Sequence, residues 1–174
     1  MEFDAMLEVV KKRAEELKIK SIIVATSKGE TGAKVAEVFK GYNVVVVTHS
    51  TGFVGPDIQE LTTENRNRIL KAGGKILTTT HAFGGLGRAV RRKFSTYQSD
   101  EIVANTLRIF GQGAKVAVEI ALMAADSGLI SVKEDAISIG GTGVGADTAL
   151  VLKPANVQDF FDVKIHEIIS KPWL

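Results

Sequence analysis

The residues best suited to chemistry in this 174-residue chain lie in three short segments rich in glycine and hydroxyl groups. The first, residues 26–32, reads Thr-Ser-Lys-Gly-Glu-Thr-Gly and joins an apolar run at 21–25 to a helical pattern through Val35, Val38 and Phe39. A strand-to-helix turn leaves backbone N–H groups unpaired beside the positive end of a helix dipole, an environment that suits phosphate. Gly29 and Gly32 allow a tight turn and close approach, Ser27 and Thr31 offer hydroxyls, and Lys28 offers a charge; Thr26 and Glu30 complete the candidate set. The spacing lacks the Gly-Lys-Ser/Thr of a P-loop, so nucleotide hydrolysis has no support. The competing reading is an ordinary turn with Thr31 as helix N-cap. If the anion reading holds, Gly32→Glu is expected to abolish binding and spare the fold.

The second segment follows the run Val44–Val47 and supplies Thr48, His49, Thr51, Gly52 and Phe53. Phe53 can stack on a flat ring, and the His49 imidazole can bind a ligand or move a proton. His81 stands in the equivalent place after a third strand pattern. The third segment, residues 140–147, supplies Gly141, Thr142, Gly143, Gly145 and Asp147, with Asp147 able to accept from a sugar-like hydroxyl. It resembles a dinucleotide fingerprint, but a strand follows it rather than a helix, so that reading fails. Arg88, Arg91 and Arg92 share one helix face, read as solvated, with Arg88 near enough to a loop to reach an anion. Glu119 interrupts an apolar helix, and Asp126 at its end is suited to capping neighbouring donors.

Composition narrows the partners. A net charge of +2, with no interleaving of basic and aromatic residues, points away from nucleic acid. No cysteine is present, which removes disulfides, thiolate catalysis and cysteine-based metal sites, and the three histidines lack a ligand spacing. The N-terminal residues do not read as a secretory signal, and the longest nearly apolar stretch, 116–125, is about half a bilayer span. A cytoplasmic protein without membrane partners is expected.

The elements that must position these residues follow from periodicity. An amphipathic helix with Met6, Leu7, Val10, Ala14 and Leu17 on one face precedes three rounds of strand, loop and helix, the signature of βαβ units. Gly41 is read as closing the second helix at C′. A further helix is expected from an N-cap at Ser99, with core face Ile102, Val103, Leu107 and Phe110, and then a buried helix over 115–127 whose first half can also read as strand. Residues 136–140 and 148–152 are joined too tightly for a parallel crossover and should pair antiparallel, followed by a turn at 156–161 and a last strand at 163–169. One α/β domain over 1–174, with a mixed, mostly parallel sheet, follows. Ligands of such sheets bind outside the carboxyl ends of the strands, where the three segments should meet.

The stretches 21–32 and 44–53 resemble a family of stand-alone archaeal proteins with a pyruvate kinase C-terminal-domain-like fold. So do Val-Glu-Ile-Ala-Leu-Met-Ala-Ala-Asp-Ser-Gly at 118–128, Gly-Ala-Asp-Thr-Ala at 145–149 and Lys-Pro-Ala at 153–155. The resemblance implies a three-layer α/β/α sandwich with a five-stranded sheet. In some pyruvate kinases the equivalent loop holds a phosphate of a sugar bisphosphate effector, and the resemblance puts residues 26–31 in its place here. The resemblance further implies flavin mononucleotide (FMN) as cofactor and no pyruvate kinase activity, since the catalytic barrel is not in this sequence. A binding or sensing role for a phosphorylated small molecule is therefore expected. The alternatives are a flavin-dependent oxidoreductase and a sugar-phosphate effector domain. Whether the chain is an enzyme, and whether it forms a homo-oligomer, stay open at this point.

Overall fold

Two nearly continuous β-branched runs make the centre of the molecule, because strands of this kind lose their apolar surface to water unless both faces are covered. The computed structural model describes residues 2–143 and 145–174; Val144, within the third glycine-rich segment, lies outside them. β1 (Ser21–Thr26) and β2 (Asn43–Thr48) pair in parallel, and β3 (Lys75–Leu77) continues the parallel sheet beyond β2. On the other side of β1 lies β4 (Ala136–Thr142), also parallel, then β5 (Gly145–Lys153) and β6 (Lys164–Ser170), both antiparallel to their neighbours. The order is β3-β2-β1-β4-β5-β6.

Alternating side chains divide the core between two helical layers. Ile22, Val24, Val44, Val46, Ile137 and Ile139 face α1 (Phe3–Leu17), α2 (Glu30–Val38) and α3 (Thr63–Lys71). Ile23, Val45, Val47, Leu150 and Leu152 face α5 (Ser99–Leu107) and α6 (Gln112–Asp126). α4 (Leu86–Phe94) lies outside this packing and buries no residue. The result is the α/β/α sandwich expected.

Close backbone approach fixes two helix N-termini at the carboxyl edge of the sheet. In α2, a Cβ placed on Gly32 would stand 2.4 Å from Val46 Cγ1. In β4, a Cβ on Gly140 would stand 2.3 Å from the Gly113 carbonyl oxygen of α6. Ser138 Oγ donates to the Ala117 carbonyl at 2.7 Å, tying the same strand to the same helix. Asp126 accepts from Val157 N–H and Asn156 Nδ2, capping the 3₁₀ turn Val157–Asp162 as expected.

Several expectations are corrected. The sheet has six strands, as the residue patterns indicate, not the five the family resemblance implies. β3 stops at Leu77, short of Thr79, on an edge where one neighbour supplies all its pairing. α2 ends at Phe39 as C-cap, so Gly41 (φ 94°) serves the turn two residues on rather than C′. Ser99 is the first helical residue and Gln98 the N-cap. α5 is rotated from its expected face: Glu101 and Ala104 are buried, Val103 and Leu107 pack partly, and Ile102 is 58% exposed. The rotation brings Glu101 Oε1 to Arg91 Nε at 2.6 Å, an ion pair between α4 and α5. Leu17 is 40% exposed in the last turn of α1, just before the left-handed C-cap Lys18. The region from 115 is helical up to Asp126, with Ser127 as C-cap.

The packing of Gly32 also overturns the expectation that Gly32→Glu spares the fold. Its Cβ has no room, and the carboxylate would be buried against Val46. We expect Gly32→Glu to destabilise the domain by about 3 kcal/mol or more, through overpacking and a desolvated charge. Urea denaturation checks this; a midpoint matching wild type would contradict it.

Candidate functional site

The winding reverses between β1 and β4, since the chain leaves β1 toward β2 and β3 and returns on its other side. Loops following adjacent strands that wind in opposite directions diverge, which opens a crevice at the strands' carboxyl ends. A cleft of about 750 Å³ occupies that place. It lies within the roughly 300–1,000 Å³ usual for small-molecule sites.

One wall is the turn from β1 into α2. Gly29, at φ 104°, is the N-cap, and a Cβ there would meet Leu61 and Asn65 of the neighbouring segment, so both its conformation and its packing require glycine. Thr26 Oγ1 accepts from Gly29 N–H at 3.1 Å and Gly32 N–H at 3.4 Å. The turn therefore satisfies two of its amides with its own side chain. Among the described residues, Ser27, Lys28, Glu30 and Thr31 N–H have no hydrogen-bond acceptor; Glu30 and Thr31 lie in the first turn of α2, where the helix dipole adds to what they offer an anion. Lys28 is held from behind by its carbonyl, which accepts from Thr62 N–H and Asn65 Nδ2.

The opposite rim is aromatic. His49 and Phe53 stack at 4.1 Å between centroids, and Phe53 and His81 at 5.1 Å, with ring planes within 25° of each other. Arg88 of α4 lies over Phe53 at 5.2 Å. His49 is fixed from outside: Nδ1 lies 2.6 Å from Glu60 Oε2, and its carbonyl accepts from Gln59 Nε2. His81 Nε2 accepts from Ser50 N–H at 3.3 Å. Burial pushes the His81 imidazole below its ordinary value, opposed by the nearby Glu119 carboxylate.

The floor comes from α6, where Lys115 and Glu119 form a hydrogen-bonded ion pair on one helix face. Lys115 is 4% exposed, and desolvation lowers its ammonium pKa despite Glu119. Glu119 Oε1 also accepts from Phe83 N–H at 2.9 Å, so both its oxygens are engaged. Val116, Ile120 and Met123 add apolar surface beside the pair.

Most of the residues singled out in the sequence converge here. Thr26, Ser27, Lys28, Gly29, Glu30 and Thr31 line the cleft, as do Thr48, His49 and Phe53, and Gly141, Thr142, Gly143 and Gly145. Thr48 is nonetheless committed to structure, its hydroxyl lying 2.7 Å from Thr78 Oγ1. Four residues do not line it. Gly32 packs on β2. Thr51 and Gly52 sit in the exposed turn that carries Phe53, with Gly52 N–H donating to the Ile58 carbonyl. Asp147 accepts from Thr148 Oγ1 at 2.6 Å and lies against Gly113 at the start of α6. The segment read as a loop at 140–147 is largely strand, with a bulge at Gly140/Gly141.

The polar lining residues outside that set are His81, Arg88, Arg108, Gln112, Lys115, Glu119 and Glu60. A charged i, i+4 pair in an otherwise apolar helix was the available signal for Lys115 and Glu119. Glu60 carried none, since only the folded-back loop brings it to His49.

The sequence matches the family model described as pyruvate kinase, alpha/beta domain, over residues 4–152. Among solved structures, a pyruvate kinase from Cryptosporidium parvum aligns at 15% identity and TM-score 0.43, covering 87% of this chain and 22% of its own. A Cryptosporidium parvum pyruvate kinase in complex with ADP aligns at 15% identity and TM-score 0.39, covering 97% of this chain and 23% of its own. The chain thus spans less than a quarter of the length of these enzymes.

The burial of His81 has a consequence for stability. Its folded pKa lies below the unfolded value near 6.5, so the neutral ring stabilises the fold above that pH, and this contribution is lost as pH falls through the folded pKa. Replacing His81 with Gln should flatten the fall in urea stability between about pH 7 and pH 5 relative to wild type. Parallel curves for the two proteins would contradict the assignment.

Proposed function

Because the chain belongs to the pyruvate kinase α/β domain family, we propose that its cleft binds a phosphorylated small molecule, FMN foremost, in a binding or sensing role rather than in pyruvate kinase catalysis. The observation that carries this reading is the meeting of the α2 N-terminus with the aromatic rim in one cleft. An anion placed against Glu30 and Thr31 N–H has the helix dipole behind it and the Ser27 and Thr31 side chains beside it. A planar ring attached to that anion has Phe53 and the imidazoles on one side and Val116, Ile120 and Met123 on another.

The residues present fit FMN on these grounds: cleft size, free amide donors at one end, and flat and apolar surfaces at the other. Bound flavin would supply hydride or single-electron transfer through its ring system. The chain's own contribution is to hold the phosphate, orient the ring against Phe53, and exclude water along α6. Lys28, Arg88 and Arg108 at the cleft favour an anionic ligand, while Glu30 and Glu60 limit the excess of positive charge.

Titration of purified protein with FMN and with riboflavin, followed by flavin fluorescence, tests the reading. FMN should bind at least about tenfold more tightly, since only it offers charge-assisted hydrogen bonds to the free amides. Ser27→Asp, which puts a carboxylate beside the anion position, should erase that preference. Equal affinities of wild type for the two flavins would contradict the proposal.

A further inference from the structure

Lys115 and Glu119 are more than the proposed binding role requires. A lysine this deeply buried is costly unless its charge is neutralised, and a leucine or methionine would fill the same helix position without that cost. Yet Lys115 lines the cleft, and among the described residues Glu119 is the one hydrogen-bond acceptor of its amine. Phe83 N–H fixes the other Glu119 oxygen at 2.9 Å, so the carboxylate cannot swing away. The Phe83 ring, 5.7 Å from Nζ, screens the amine on one side.

We propose that Lys115 is a carbonyl-reactive amine, with Glu119 as its acid–base partner, and that it forms an imine with the aldehyde or ketone of a phosphorylated substrate. Glu119 Oε2 takes a proton from the Lys115 ammonium and frees the nitrogen lone pair. Nζ attacks the carbonyl carbon, the C=O π pair moves onto oxygen, and a proton passes from nitrogen to that oxygen. Glu119 then returns its proton to the hydroxyl, which leaves as water as the nitrogen lone pair closes the C=N bond. The products are one water and an iminium whose positive charge remains beside the Glu119 carboxylate. No oxidant, reductant or metal enters the balance. Desolvation, which favours the neutral amine, supports the assignment. The substrate class rests on the reading of residues 26–31 as a phosphate anchor; the imine chemistry does not.

Pyridoxal 5′-phosphate and pyridoxal, each incubated with the full chain and reduced with borohydride, test both parts by peptide mass spectrometry. The expected result is a reduced adduct on Lys115, formed at least about tenfold faster with the phosphorylated probe. E119Q, which retains an acceptor for Phe83 N–H, should slow labelling about a hundredfold with an unchanged circular dichroism spectrum. Equal labelling of Lys115 by both probes would uphold the imine and defeat the phosphate anchor. Saturable binding of pyridoxal 5′-phosphate with Lys115 unmodified, or adducts confined to exposed lysines, would overturn the proposal.

Discussion

The reversal of winding at β1 constrains everything at the carboxyl edge of this sheet. β1 receives β2 on one side and β4 on the other, so the segments that leave and enter this edge cannot close over the strand between them. α2 begins there because it follows β1, and α6 begins there because it runs antiparallel to β4, which it precedes. Both helices therefore bring their positive ends to one crevice. Gly32 against Val46 and Gly140 against Gly113 hold those ends close to the strands. A side chain at either glycine would lift a helix and widen the cleft before any ligand contact was altered.

The polar groups within the crevice divide by how completely the fold satisfies them. Thr26, Thr48 and Asp147 have side-chain partners within the protein and behave as structure. Glu30 and Thr31 N–H, on the available turn of α2, do not. The Lys115–Glu119 pair is intermediate, charged and nearly dry, paired internally but open to the cavity on one side. Buried pairs of this kind contribute little net stability compared with apolar residues, which directs attention to chemistry rather than folding. His49, braced by Glu60 and Gln59 and lying on Phe53, gives the opposite wall a similar rigidity.

Much of this organisation was legible in the sequence because period and punctuation are local. The β-branched runs at 22–24 and 44–47, the glycines after them and the short 140–147 connection gave strands, parallel crossovers and one antiparallel pair. The cleft's loop residues followed from the general rule for strand ends. What stayed hidden depends on helix rotation and long-range return. Ile102 and Glu101 exchange the faces their hydrophobicity suggests, an arrangement in which Glu101 pairs with Arg91, ten residues upstream. Glu60 reaches His49 only after the 50–58 turn folds back. Gly32 reads as ligand approach in sequence and is helix–strand packing in space, since the same glycine signal serves both.

The central claim is that an anion is held by the unpaired amides at the start of α2. Backbone ¹⁵N–¹H spectra recorded during titration with inorganic phosphate, and then with FMN, test it at the atoms concerned. The largest amide shifts are expected at Glu30 and Thr31 with both ligands, with Gly29 and Gly32 moving less because the Thr26 hydroxyl already accepts from their N–H groups. Shifts centred elsewhere on the surface, with the Glu30 and Thr31 resonances unmoved at saturation, would contradict it.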